Sequence, residues 1–162
     1  MFRAVLAVLV GFFAVGLIVP VVMLAAYSAM GAERAFRAAS YDVSPAMAVT
    51  WFVVYLAGTL AAGIVCAMIA RPGSYAPVVL AGVVLVLGLA SATLGAGRPD
   101  PGAREPGTPW RTAMQDARQP AWALFSTPFV GAFGVVIGGK LTGRARTKAD
   151  PAPPPTGVES DA

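Results

Sequence analysis

The stretch AVLAVLVGFFAVGLIVPVVML, Ala4 to Leu24, decides the fold. It carries no charge and no polar stripe of the kind a helix in a water-soluble core presents every third or fourth position. A segment that is apolar all round and long enough to cross about 30 Å of hydrocarbon reads as a transmembrane helix. About fourteen of its residues are Val, Leu, Ile or Phe, which at ~0.4 kcal/mol each favours insertion by about 6 kcal/mol. Met1-Phe2-Arg3 and Ala26-Tyr27-Ser28 also resemble the charged start and small-residue cleavage site of a signal peptide. The apolar core is longer than the roughly 7 to 15 residues of a signal peptide, so the expectation is an uncleaved first span.

Outward from this segment the charges repeat the pattern. No charged residue lies between Arg3 and Glu33, Asp42 and Arg71, Arg71 and Arg98, or Arg118 and Lys140. Each gap exceeds the roughly 20 residues that one crossing needs. With 57% hydrophobic and only 12% charged residues, the 162-residue chain reads as one all-α domain over 1–148, an integral membrane four-helix bundle. Its spans are expected at about 4–30, 45–70, 76–96 and 121–140. The fourth is the least apolar, diluted by Gly131, Gly134, Gly138 and Gly139.

The joints are legible as well. Pro20 is expected to kink span 1, and Glu33 and Arg37 are spaced for a weak surface pair where that helix leaves the membrane. Ser44-Pro45 is a capped helix start. Arg71-Pro72-Gly73-Ser74 is a turn so short that spans 2 and 3 are expected to be antiparallel neighbours. The Pro- and Gly-rich run from Arg98 opens the one sizeable connection, and Thr108-Pro109 starts a short helix within it. Trp110, Ala113, Met114 and Ala117 share one face of that helix, as in an interfacial helix lying in the headgroup plane. Ser126-Thr127-Pro128 predicts a bend in span 4. The segment 149–162, with Pro151, Pro153, Pro154 and Pro155, is expected to be a disordered tail.

The net charge of +4 is carried at membrane boundaries, so the partners it implies are the lipid bilayer and its anionic headgroups rather than nucleic acid. Trp110, Trp122, Lys140, Arg144 and Arg146 are the expected interfacial anchors. Six cations fall on each side of a four-span topology: Arg3, Arg71, Lys140, Arg144, Arg146 and Lys148 against Arg34, Arg37, Arg98, Arg104, Arg111 and Arg118. The clustering of four of them directly after span 4 places both termini in the cytoplasm. Arginine outnumbers lysine ten to two in an Ala-, Gly- and Val-rich chain, a composition that suggests a GC-rich bacterium and its inner membrane.

In lipid, helices associate through close packing of small residues. Gly58, Ala62 and Cys66, with Gly63 beside them, form such a ridge on span 2; Gly88 and Ala92 do so on span 3, and Gly134 and Gly138 on span 4. Cys66 is the single cysteine and there is no histidine, so neither an intrachain disulfide nor an imidazole-built metal or haem site can form. No span carries the ionisable group on which a proton-coupled transporter relies. A membrane enzyme would have to draw on Asp100, Glu105 and Asp116 with Arg104 and Arg111, which read as solvated loop charges. No catalytic, cofactor or metal residue is therefore expected.

Trp51 to Ala70 with its packing glycines, Gln119-Pro120-Ala121-Trp122 leading to Pro128, and Gly138-Gly139-Lys140-Leu141 together resemble a loose group of small four-span bacterial inner-membrane proteins. That group has no settled activity, so the resemblance implies architecture only. The expected function is that of a non-enzymatic accessory, assembly or membrane-organising component, with a membrane-protein partner or a homo-oligomer. The alternative is a small channel or uncoupled permease whose path would be lined by Thr59, Ser91, Ser126 and Thr127.

Overall fold

The computed structural model describes residues 2–149, with side chains described for residues 2–143. The expected tail therefore lies outside the described residues, apart from Ala149 itself, which closes the last helix. Five helices follow in order: α1 (Phe2–Ala35), α2 (Pro45–Ile69), α3 (Ala76–Ala96), α4 (Trp110–Gln115) and α5 (Ala121–Ala149). Four of them, α1, α2, α3 and the Ala121–Gly143 part of α5, are long and apolar enough to cross a bilayer. The chain is a multi-pass membrane protein built as an all-α bundle. Large apolar side chains such as Phe13, Leu17, Val86 and Phe133 stand outward, which lipid tolerates and water would not.

Helix ends follow their local chemistry. The Ser44 hydroxyl accepts from the Met47 amide at 3.3 Å and donates to the Arg34 carbonyl at 2.8 Å, so it caps α2 and ties it to the end of α1. Ser44→Ala is expected to cost about 1–2 kcal/mol in a denaturant titration followed by circular dichroism. The break in α1 is at Gly31 (φ 70°, ψ 168°) rather than at Pro20. Proline's fixed φ of about −65° is itself helical, whereas the positive φ at position 31 suits glycine. Glu33 consequently does not pair with Arg37; its carboxylate meets Arg104 from the distant connection at 3.1 Å.

Around the bundle the neighbours run α1, α2, α5, α3. This corrects the pairing expected from the short Arg71–Ser74 turn: α2 and α3 are consecutive yet pack on each other only slightly, because α5 lies between them. The reason is in α5, which offers close-packing positions on two sides. Gly131, Gly134 and Gly138 receive Tyr55, Leu56, Thr59, Leu60 and Ile64 of α2, while Pro128 and Gly139 meet Gly88 and Pro77 of α3. The start of α1, the end of α5 and the 70–75 turn thus lie at one end of the bundle, the terminal face. The connections 36–44 and 97–120 lie at the other, the connecting face.

Candidate functional site

Every helix-packing residue singled out in the sequence lies at a helix contact or in the buried interior. A Cβ at Gly63 would overlap the Val135 carbonyl oxygen of α5, and one at Gly138 would overlap the Leu60 carbonyl oxygen of α2. At Gly134 it would meet the Thr59 hydroxyl, at Gly58 the Val19 side chain of α1 at 2.8 Å, and at Gly88 the Pro128 ring at 2.8 Å. Ala62, Cys66 and Ala92 are buried. Cys66 lies against α1, since a Cβ at Gly11 would sit 3.3 Å from the Cys66 Cβ. Backbones approach this closely only where side chains are absent, and that contact replaces the hydrophobic drive that lipid does not supply.

Three of the four hydroxyls proposed to line a path are turned to their own helices, and the fourth, Ser91, borders an opening beside α3. Thr59 donates to the Tyr55 and Leu56 carbonyls at 2.8 and 3.0 Å, and Thr127 and Ser126 both donate to the Ala123 carbonyl at 2.7 and 3.3 Å. Thr59 is fully buried at the α2–α5 seam and Thr127 is buried; Ser91 is exposed on α3. Such back-bonding satisfies a hydroxyl within its own helix.

The connecting face is an ordered polar cap. Its centre is Arg104, whose side chain is 2% exposed. The guanidinium donates to Glu33 at 3.1 Å and to the Ser40 carbonyl at 3.3 Å, and it lies 5.9 Å from the centre of the Phe36 ring. Phe36 stacks in turn on Tyr27 of α1, their ring centres 5.7 Å apart. Backbone bonds lace the two connections together: the Arg104 amide donates to Ala39, the Arg118 amide to Tyr41, and the Val43 amide to Arg118. Arg104 was expected among solvated loop charges. Composition and spacing gave no signal for its burial, since its carboxylate partner is 71 residues away in sequence.

The short helix between spans 3 and 4 is present as α4, with the apolar face that was expected. That face covers protein: Ala113 is fully buried in a cluster with Met23, Tyr27, Phe36, Val43 and Met47, against which Trp110, Met114 and Ala117 also pack. Of the expected anchors, Trp110 is partly buried with Arg111 over its ring at 5.3 Å. Trp122 is exposed and stacks on Phe52 with ring centres 5.6 Å apart, and Lys140 is exposed. The side chains of Arg144 and Arg146 lie outside the described residues. Of the other loop charges, Asp100 pairs with Arg118 at 3.0 Å. No protein-family model matches the chain, and neither a curated protein nor a solved structure matches it.

Proposed function

We propose that the protein is a non-enzymatic, non-conducting membrane component that acts as an accessory to, or local organiser of, a larger membrane assembly. The observation that carries this reading is the closed α2–α5 seam, where glycines rest on backbone carbonyls and the buried hydroxyls of Thr59 and Thr127 are bonded to their own helices. A conducting path needs polar groups free to replace an ion's hydration shell, and these are spent locally. Of the loop charges, Asp100 is engaged by Arg118, while Arg104 turns away to Glu33.

A surface for a partner helix is offered by Trp122, Phe125, Phe129 and Phe133, four exposed aromatic side chains at helical spacing along α5. The pure protein in liposomes is expected to pass ions and small solutes no faster than protein-free vesicles. A flux that falls on Thr59→Val would overturn the reading in favour of a channel or uncoupled permease. In native membranes, a photocrosslinker at position 129 should capture one defined partner protein.

The same reading places the chain in a bacterial inner membrane with both termini in the cytoplasm and anionic headgroups against the basic segment that follows Gly139. An even number of crossings puts the termini on one side, and the cluster Lys140, Arg144, Arg146 and Lys148 favours the cytoplasmic side. Alkaline phosphatase fused after Arg146 is expected to be inactive and after Arg104 active; the reverse pattern inverts the topology.

A further inference from the structure

Three sides of the helix ring are tightly packed and the fourth is not. α1 and α3 meet near the terminal face, where Ala4, Ala7 and Val8 approach Leu80, Ala81 and Val84. Toward the connecting face α1 instead packs through Val19 and Met23 on Met47 and Ala48 of α2. A crevice of about 360 Å³ opens there, with Phe12 and Gly16 of α1 on one side, Leu87 and Gly88 of α3 on the other, and Trp51 and Pro128 among the residues that line it. Its position between two membrane-crossing helices gives it a lateral mouth toward lipid.

Two further observations say what fits it. The indole Nε1 of Trp51 is buried and has no hydrogen-bond partner among the described residues. In hydrocarbon a donor in that state calls for an acceptor. The crevice also shares Ser91, Gln119 and Leu124 with a larger hollow of about 880 Å³ at the connecting face, lined by Arg98, Asp100, Asp116 and Arg118. Asp100 is already bonded to Arg118, whereas neither Arg98 nor Asp116 makes an ion pair among the described residues. A slot that is apolar in the membrane and carries Arg98 at its outer end suits an amphiphile with a phosphate group.

Depth agrees. Trp51 lies six residues inside α2 from Pro45, or about 9 Å at 1.5 Å per residue. A 25-residue helix overhangs a hydrocarbon core of about 30 Å by a few ångströms at each end. The indole thus lies within side-chain reach of the boundary where glycerol esters sit.

We propose that this crevice binds one glycerophospholipid of the surrounding bilayer. One acyl chain lies between α1 and α3, an ester carbonyl accepts the Trp51 indole N–H, and the phosphodiester sits beside Arg98. The site deepens the membrane-organising part of the function proposed above and rests on that reading. The two fail separately, since a protein that conducts ions could still retain lipid and a non-conducting one could lack the site.

The test is native mass spectrometry of the full chain released from vesicles of phosphatidylglycerol and phosphatidylethanolamine. In parallel, Trp51 fluorescence is read in a Trp110→Phe, Trp122→Phe background against phospholipids brominated on the acyl chain. One retained phospholipid per chain and quenching of Trp51 are expected. Gly16 lines the crevice and a Cβ there meets nothing within 4 Å, so Gly16→Leu puts a side chain where the acyl chain would lie; it should lower retention at least about ten-fold at unchanged helix content. Trp51→Phe, which removes the donor and keeps an aromatic ring, should lower it about three- to ten-fold, and this variant decides should Gly16→Leu fail to fold. Retention that is equal in wild type and both variants overturns the proposal. So does an absence of retained lipid together with a crosslinked dimer through Phe12 and Leu87, which would make a second copy of the chain the occupant.

Discussion

Gly63→Ala is expected to unfold the bundle at markedly lower denaturant, although it adds a single methyl group. The new Cβ would overlap the Val135 carbonyl oxygen and lie 2.9 Å from both the Val135 Cα and its carbonyl carbon. These are backbone atoms of α5, so no rotamer change can relieve the contact and the two helices must part. Overpacking of a close-packed interior costs roughly 1–3 kcal/mol when side chains can adjust, and a rigid backbone neighbour places this change at about 3 kcal/mol. Alanine's better helix propensity returns less than about 1 kcal/mol. Gly82→Ala is the matched control: it lies within α3, and a Cβ there meets nothing within 4 Å. It should leave stability within about 1 kcal/mol of wild type or raise it. Titration with sodium dodecyl sulphate followed by circular dichroism distinguishes the two. Equal curves would mean that the α2–α5 seam is looser than the structure shows.

Arg104→Ala is expected to release the connecting face while leaving the four spans in place. The substitution removes a charge-assisted bond to Glu33, a bond to the Ser40 carbonyl and the cation over Phe36. Together these contribute about 2–4 kcal/mol to the order of the cap. Glu33→Gln should cost less than about 1 kcal/mol, because the Glu33 side chain is 76% exposed and its half of the ion pair is screened by water. The asymmetry is the informative part. Limited trypsin digestion after Arg111, which is exposed and followed by Thr112, should accelerate strongly in Arg104→Ala and little in Glu33→Gln. Equal acceleration would assign the order of the cap to the ion pair alone.

Much of the architecture was readable before the structure, and for identifiable reasons. Span number follows from charge-free length, a property of each segment taken singly. The start at Ser44-Pro45 follows from local backbone chemistry, with Ser44 capping and α2 beginning at Pro45; α4 begins at Trp110, directly after Pro109, without a side-chain cap. The small-residue ridges were readable because lipid leaves close approach as the main drive for helix association, so Gly58, Gly63, Gly134 and Gly138 mark contacts wherever the partner helix comes from. Elsewhere, inference from neighbours in sequence failed. The short turn at 71–74 did not make α2 and α3 a packed pair, because chain proximity constrains only their joined ends while α5 carries glycine on the side that α2 contacts. The point where α1 leaves helical geometry is Gly31, at a positive φ that suits glycine, while the fixed φ of Pro20 stays helical.

The residues of the cap and the crevice were out of reach for a different reason. Nothing near Arg104 in sequence distinguishes it from Arg98 or Arg111. Its burial depends on the end of α1, the 36–44 connection and the 98–120 connection arriving at one point. Trp51 likewise reads as an ordinary aromatic in an apolar helix until α1 and α3 are seen to part beside it. The sequence by itself determined that this chain is helical and carries four segments long and apolar enough to cross a membrane, because a bilayer leaves a backbone few ways to satisfy its hydrogen bonds and sets the length of each crossing. Which helices touch, which arginine is buried and where an opening remains were decided only in three dimensions, because those outcomes depend on contacts between residues far apart in the chain that local composition does not encode.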